Sequence, residues 1–238
     1  MTIDKKFILS LLDLTSLNDD DTTSTIETLC QKAATAQGPV AAVCVYPEFV
    51  KNAVTVLQTS PVKVATVANF PQGTDSLENV LPVIQKAIHD GAQEIDVVFP
   101  YEQFLTGDWQ TAGHFIKTCK AACGSQILLK VILETGVLKE KPIITNACEI
   151  ALQNGANFIK TSTGKVAVGA TLEAAEVILL AMKRASQPVG FKVSGGIRTI
   201  EEAEQFINLA NQIMGTDWVS PNSFRIGASS LIDAIVTK

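Results

Sequence analysis

The chain has 238 residues, 47% of them apolar, enough for one large core; barrels of this length are routinely single domains, so residues 1–238 are expected to form one. Nineteen lysines and arginines against 24 acids give a formal charge of −5, which argues against a nucleic-acid or anionic-membrane surface and requires any bound anion to be held locally. The five cysteines, odd in number and set in apolar or helical patterns, read as reduced thiols of a cytoplasmic protein, and the two histidines fall in no ligand-spaced cluster, so no metal is expected.

A first helix is predicted over 4–10. The apolar run 7–12 is too short for a signal segment, and nothing later approaches a membrane span. Leu11-Leu12-Asp13-Leu14-Thr15 is a short apolar strand carrying a carboxylate. A helix over 25–36, closed by Gly38-Pro39, leads to a buried strand over 40–46, and Pro47 suits the first turn of the next helix, 47–57. Cys44, near the end of that strand, has no histidine partner in these motifs and reads as a small core residue rather than a nucleophile. The strand 62–68 runs into Asn69-Phe70-Pro71-Gln72-Gly73. Asp75 is expected to open the helix 77–89, and Gly91 to close it.

Glu94-Ile95-Asp96-Val97-Val98-Phe99-Pro100 is the next strand. Asp96 is bracketed by apolar residues, and an unpaired buried carboxylate is costly, so a cationic partner inside the protein is expected. Helix 109–122, strand 127–133 and helix 142–154 follow, with Glu134-Thr135-Gly136 after the strand and Gly155 after the second helix. The strand 156–159 then delivers Lys160-Thr161-Ser162-Thr163-Gly164, an amine where a further apolar residue belongs. A strand-end lysine can simply extend its tip to water. Here the plan repeats: after a helix over 172–185 capped by Thr171, the strand Val189-Gly190-Phe191-Lys192-Val193 ends in Ser194-Gly195-Gly196. Two lysines at matching strand ends can face each other. Helix 200–209, strand 224–227 and a terminal helix 231–235 complete the chain.

Eight strands alternating with helices imply a parallel sheet closed as a (β/α)8 TIM barrel. Asp13, Cys44, Asn69, Asp96, Glu134, Lys160, Lys192 and Ser229 all fall toward the C-terminal strand ends, the mouth at which such barrels place their chemistry. Gly195-Gly196, and Gly227 with Ser229-Ser230 before the last helix, stand where barrels hold phosphate on backbone N–H groups, and Gly164-Lys165 adds a third wall. A desolvated amine, a buried acid and a phosphate grip point to imine chemistry on a phosphorylated carbonyl compound, needing neither metal nor cofactor.

Five blocks also resemble the class I deoxyribose-phosphate aldolases: Asp13-Leu14-Thr15, Val43-Cys44-Val45-Tyr46-Pro47, 94–100, Phe158 to Lys165, and Gly227-Ala228-Ser229-Ser230. The resemblance runs nearly end to end. It implies that Lys160 forms a Schiff base with 2-deoxy-D-ribose 5-phosphate, releasing D-glyceraldehyde 3-phosphate and acetaldehyde in deoxyribose phosphate catabolism. It further implies that Lys192 tunes that amine, that Asp96 relays protons through a water, and that Asp13, Thr15, Thr163 and Cys44 line the sugar. Gly164, Lys165, Gly195, Gly196, Gly227, Ser229 and Ser230 would cradle the phosphate. Val193-Ser194 departs from the residues many relatives carry after the second lysine, and the sequence stops at Lys238 without the tyrosine tail that some members use at the enamine carbon, which leaves the proton donor at that carbon open. The expected partner is a small phosphorylated aldose, with no nucleic acid or membrane and a homodimer as the assembly. Another Schiff-base barrel aldolase acting on a longer ketose or keto acid, or a sugar-phosphate-binding protein without turnover, are the alternatives; the latter sits poorly with an intact Lys160, Lys192 and Asp96 set.

Overall fold

The computed structural model describes residues 3–185 and 187–236. Eight strands form a closed parallel barrel: β1 (Leu12–Thr15), β2 (Ala42–Val45), β3 (Lys63–Ala68), β4 (Glu94–Val98), β5 (Leu128–Ile132), β6 (Phe158–Lys160), β7 (Gly190–Ser194) and β8 (Phe224–Ala228). Each pairs with the next, and β8 closes onto β1, with Asp13 opposite Gly227. A strand's side chains alternate between the two faces. The outward set, such as Leu14, Val43, Ile95, Val131 and Ile159, packs with the surrounding helices into one continuous apolar layer.

The inward set differs from one side of the barrel to the other. Ala42, Cys44, Ala65 and Val67 of β2 and β3 form a small apolar cluster with Leu17, which Tyr46 and Phe70 cover. The remaining strands contribute Asp13, Glu94, Asp96, Lys130, Lys160, Lys192 and Arg225, all buried. Strand pairing satisfies the main chain there, so the interior can carry charge provided the side chains neutralise one another.

The helices fall near their expected places, with shifts that local chemistry explains. The helix expected over 25–36 is Thr23–Lys32, because Thr22 and Thr25 form a reciprocal capping box two residues earlier than anticipated. Residues 34–35 then pair with 38–39 as a small hairpin. Pro47 begins a 3₁₀ turn, Pro47–Phe49, before the α-helix Val50–Val56. Asp75 does not cap Leu77–His89; its N–H is bound to Asn69 Oδ1 and Ser76 takes the cap position. Thr199 and Glu202 form a capping box at the head of Ile200–Met214, which runs five residues beyond expectation because Ala210 and the partly buried Ile213 and Met214 continue its packed face before Gly215. Two short helices absent from the sequence reading, Tyr101–Leu105 and Thr135–Leu138, follow β4 and β5. No described helix is long and apolar enough to cross a membrane.

Candidate active site

Lys160 and Lys192 are register partners on β6 and β7, so adjacent strands carry the two amines inward at one level. Both meet the same oxygen. Asp96 Oδ2 accepts from Lys160 Nζ at 2.9 Å and from Lys192 Nζ at 2.8 Å, while Asp96 Oδ1 accepts from Lys130 Nζ at 2.8 Å. Lys192 is also paired with Asp13 Oδ2 at 2.6 Å, and Lys130 with Glu94 Oε2 at 2.5 Å. Arg225 completes the lattice, reaching Asp13 Oδ1 at 2.6 Å and Glu94 Oε1 at 3.0 Å.

These contacts are unequal. Lys130, Lys192 and Arg225 each pair with at least two carboxylates, whereas among the described residues Lys160 is ion-paired with Asp96 alone. Four cations against three carboxylates leave one positive charge in excess, and removing a single proton cancels it. Lys160 is the group from which that proton leaves most readily. Burial lowers its pKa, the attraction of Asp96 opposes, and the charge of Lys192 lowers it further, for a net downward shift. For Lys192 burial acts in the same direction, but Asp13 and Asp96 outweigh it and hold the group protonated far above ordinary lysine. Burial would raise Asp96; its lysine neighbours overcome that and keep it ionised, with its pKa well below the ordinary carboxylate value. Cys44 is fully buried and its thiol pushed up, chiefly by burial, so it is no thiolate nucleophile.

Above the lattice opens a cavity of about 240 Å³, with Lys160 at its inner end. Thr163, Gly164 and Lys165 form one wall; Gly195, Gly196, Gly227 and Ser229 form another, and Thr15 borders the third. Asp13, Cys44, Asp96 and Lys192, expected beside the sugar or the reacting carbon, lie among the buried side chains rather than on this wall, and Ser230 is exposed just outside it. Asp13 sits below because it alternates inward on β1 next to Arg225 and Lys192, whose charges hold it ionised against the upward pull of burial. Two of the glycines are required by contact. A Cβ on Gly227 would stand 2.9 Å from Ser194 Cβ and 3.0 Å from Lys192 Cε, and Gly195, at φ +95°, has Gly169 Cα 2.9 Å from where a Cβ would be. Among the described residues no group of three metal-ligating side chains occurs.

Residues 7–234 match the sequence profile described as the DeoC/LacD family aldolase. The chain belongs to the DeoC/LacD aldolase family. A deoxyribose-phosphate aldolase of Agrobacterium fabrum (strain C58) is 48% identical over 229 residues, 96% of this chain and 88% of the relative. Among solved structures, a Coccidioides immitis protein assigned as a deoxyribose-phosphate aldolase superposes with a TM-score of 0.89 at 29% identity, covering 99% of this chain and 87% of the other. The aldolase QR15 superposes at 0.83 with 31% identity, covering 96% and 94%.

Within this family member, the sequence reading overlooked Lys130, Glu94 and Arg225, which complete the ionic lattice, and Asn18 and Arg198, which border the cavity. Lys130 and Arg225 carried the very signal that marked Lys160, a cation inside an apolar strand. The loops bearing Asn18 and Arg198 offered no such contrast.

Proposed function

We propose that the protein is a Schiff-base aldolase that reversibly cleaves 2-deoxy-D-ribose 5-phosphate into D-glyceraldehyde 3-phosphate and acetaldehyde. The observation that carries this reading is the unequal pairing of two amines on one carboxylate: among the described residues Lys160, which borders the cavity, is ion-paired with Asp96 alone, while Lys192 lies beneath it paired with two acids. The amine that borders the cavity is thereby the one poised to be neutral, and a neutral amine is the nucleophile for an aldehyde carbon.

In the open-chain sugar, Lys160 Nζ adds to C1, and the carbinolamine loses water to give an iminium. The C3 hydroxyl gives up its proton to a base, for which Asp96 acting through a water is the assignment. The C2–C3 pair then flows into the iminium as the bond breaks, releasing glyceraldehyde 3-phosphate and leaving an enamine. Protonation at C2 and hydrolysis, which returns the water, release acetaldehyde and free Lys160. The iminium is itself the electron sink, so the reaction as written requires no metal. The doubly held ammonium of Lys192 keeps positive charge beside Lys160 throughout.

The phosphate is assigned to the end of the cavity formed by Gly164, Lys165, Gly195, Gly196, Gly227 and Ser229, with Ser230 just beyond. Lys165 and Arg198 supply the charge. Incubating the enzyme with authentic 2-deoxy-D-ribose 5-phosphate should yield acetaldehyde and glyceraldehyde 3-phosphate in equal amounts. Turnover of a ketose or keto acid with no acetaldehyde would overturn the assignment.

A further inference from the structure

Glu134 lies outside the ionic lattice, yet its side chain is wholly buried. It stands two residues beyond β5 with φ 60° and ψ 61°, a left-handed conformation that residues with a Cβ rarely adopt and that persists only where the surroundings impose it. Main-chain bonds on either side fasten it to the segment leaving Lys160: the Leu133 N–H donates to the Lys160 carbonyl at 2.9 Å, and the Thr135 N–H to the Thr161 carbonyl at 3.0 Å. Its Oε2 accepts two bonds from Thr163, from Oγ1 at 2.5 Å and from the N–H at 3.2 Å. Thr163 Oγ1 in turn accepts the Lys165 N–H at 3.0 Å. One carboxylate oxygen therefore holds Thr163, whose hydroxyl in turn fastens Lys165, at the two ends of a turn that is a wall of the cavity. Glu134 Oε1 has no partner among the described residues, a cost that a purely structural anchor would avoid.

We propose that Glu134 is a positioning residue: acting through Thr163, it preforms the turn 163–165 as a wall of the phosphate subsite. This deepens the function proposed above and rests on it for the identity of the substrate. The hydroxyl of Thr163, committed as donor to Glu134, meets a substrate only through its remaining acceptor lone pair. Preorganisation of this kind is read on phosphate affinity, and because Glu134 also lies within electrostatic reach of Lys160 the amine is monitored separately.

The test uses inorganic phosphate as probe, with calorimetric affinities for the wild type, Glu134→Ala, Thr163→Val, their combination, and Glu134→Gln, which keeps an acceptor oxygen. Borohydride capture of acetaldehyde at Lys160 reports in each that the barrel and its amine are intact. Glu134→Ala and Thr163→Val should each weaken phosphate binding about tenfold, and the double variant no more than either alone, because the two act as one unit. Glu134→Gln should recover most of the loss. With 2-deoxy-D-ribose 5-phosphate, KM should rise for the Ala variant while KM for free deoxyribose stays nearly constant. Unchanged phosphate affinity, additive losses, or no recovery in Glu134→Gln overturns the positioning. Should Glu134→Ala lose acetaldehyde capture, Thr163→Val decides alone by the same affinity criterion. A wild type that binds phosphate with this mutational pattern but does not cleave 2-deoxy-D-ribose 5-phosphate overturns the substrate and leaves the positioning standing.

Discussion

An ordinary lysine titrates near 10.4, so at pH 7 only about one molecule in a few thousand carries the neutral amine. Each unit by which the pKa falls raises that fraction about tenfold. Burial and the Lys192 charge both push Lys160 in this direction, against the pull of Asp96. Borohydride added with acetaldehyde should place a stable mass increase on the peptide containing Lys160; an adduct confined to other peptides would refute its role. Lys192→Leu removes a cation that disfavours protonation of Lys160, so the Lys160 pKa should rise and the acidic limb of kcat/KM should move to higher pH, with part of the lost rate returning in alkali. An acidic limb that stays in place would mean that Lys192 does not set the nucleophile. Asp96→Asn keeps the shape and removes the base, and turnover should fall by about two to four powers of ten. A kcat close to the parent's would remove Asp96 from proton transfer.

Strand register is what brings these side chains to one level. Asp96 pairs with Lys130 across β4 and β5, Lys160 with Lys192 across β6 and β7, and Lys192 with Arg225 across β7 and β8, so each strand delivers its charge by inward alternation. The position of the Lys192 chain depends in turn on the bare backbone of β8. Gly227→Ala would bring a methyl group to 3.0 Å from Lys192 Cε and 2.9 Å from Ser194 Cβ. It should cost about 1–3 kcal/mol in stability and lower kcat, since it displaces the ammonium beside Lys160. Unaltered thermal stability together with unaltered kcat would show that β8 has room to give. At the loop after β8, Ser230→Asp puts a carboxylate beside the phosphate wall and should raise KM for the phosphorylated sugar far more than for free deoxyribose. Equal losses on the two substrates would move the phosphate elsewhere.

For the molecule as a whole, the lattice ties β1, β4, β5, β7 and β8 together through buried ion pairs, with β6 attached through Lys160. Asp13 and Asp96 both have folded pKa values below the ordinary carboxylate value. Their stabilisation is therefore complete above the unfolded value of about 3.9 and is lost as pH falls below it toward the folded values. Thermal midpoints should drop steeply below about pH 4. If residues 1–238 are a single cooperative unit, as we propose, circular dichroism and tryptophan fluorescence should report one coincident transition; two separate transitions would divide the chain. Lys130→Met leaves Glu94 and Asp96 short of a buried partner and should destabilise by about 3–5 kcal/mol, and a loss under 1 kcal/mol would show the lattice readjusts around it.

The alternation of apolar strands and amphipathic helices, and the standing of Lys160, Lys192 and Asp96 as charges within apolar strands, were legible in the sequence because both depend on local periodicity and on the contrast of a charge within an apolar run. Of the three only Lys160 stands at a strand end, Asp96 and Lys192 lying at mid-strand, deeper in the barrel than expected. A need for buried cations around Asp96 followed from desolvation alone. What sequence did not convey was which cations answer it and how many carboxylates each one shares. Asp13 and Arg225 are 212 residues apart in sequence, and Lys192 and Asp96 are 96 apart. Only closure of the barrel, with its particular register, brings them within 3 Å. That closure decides that Lys192 is held by two acids and Lys160 by one, and so which of two similar strand lysines can lose its proton.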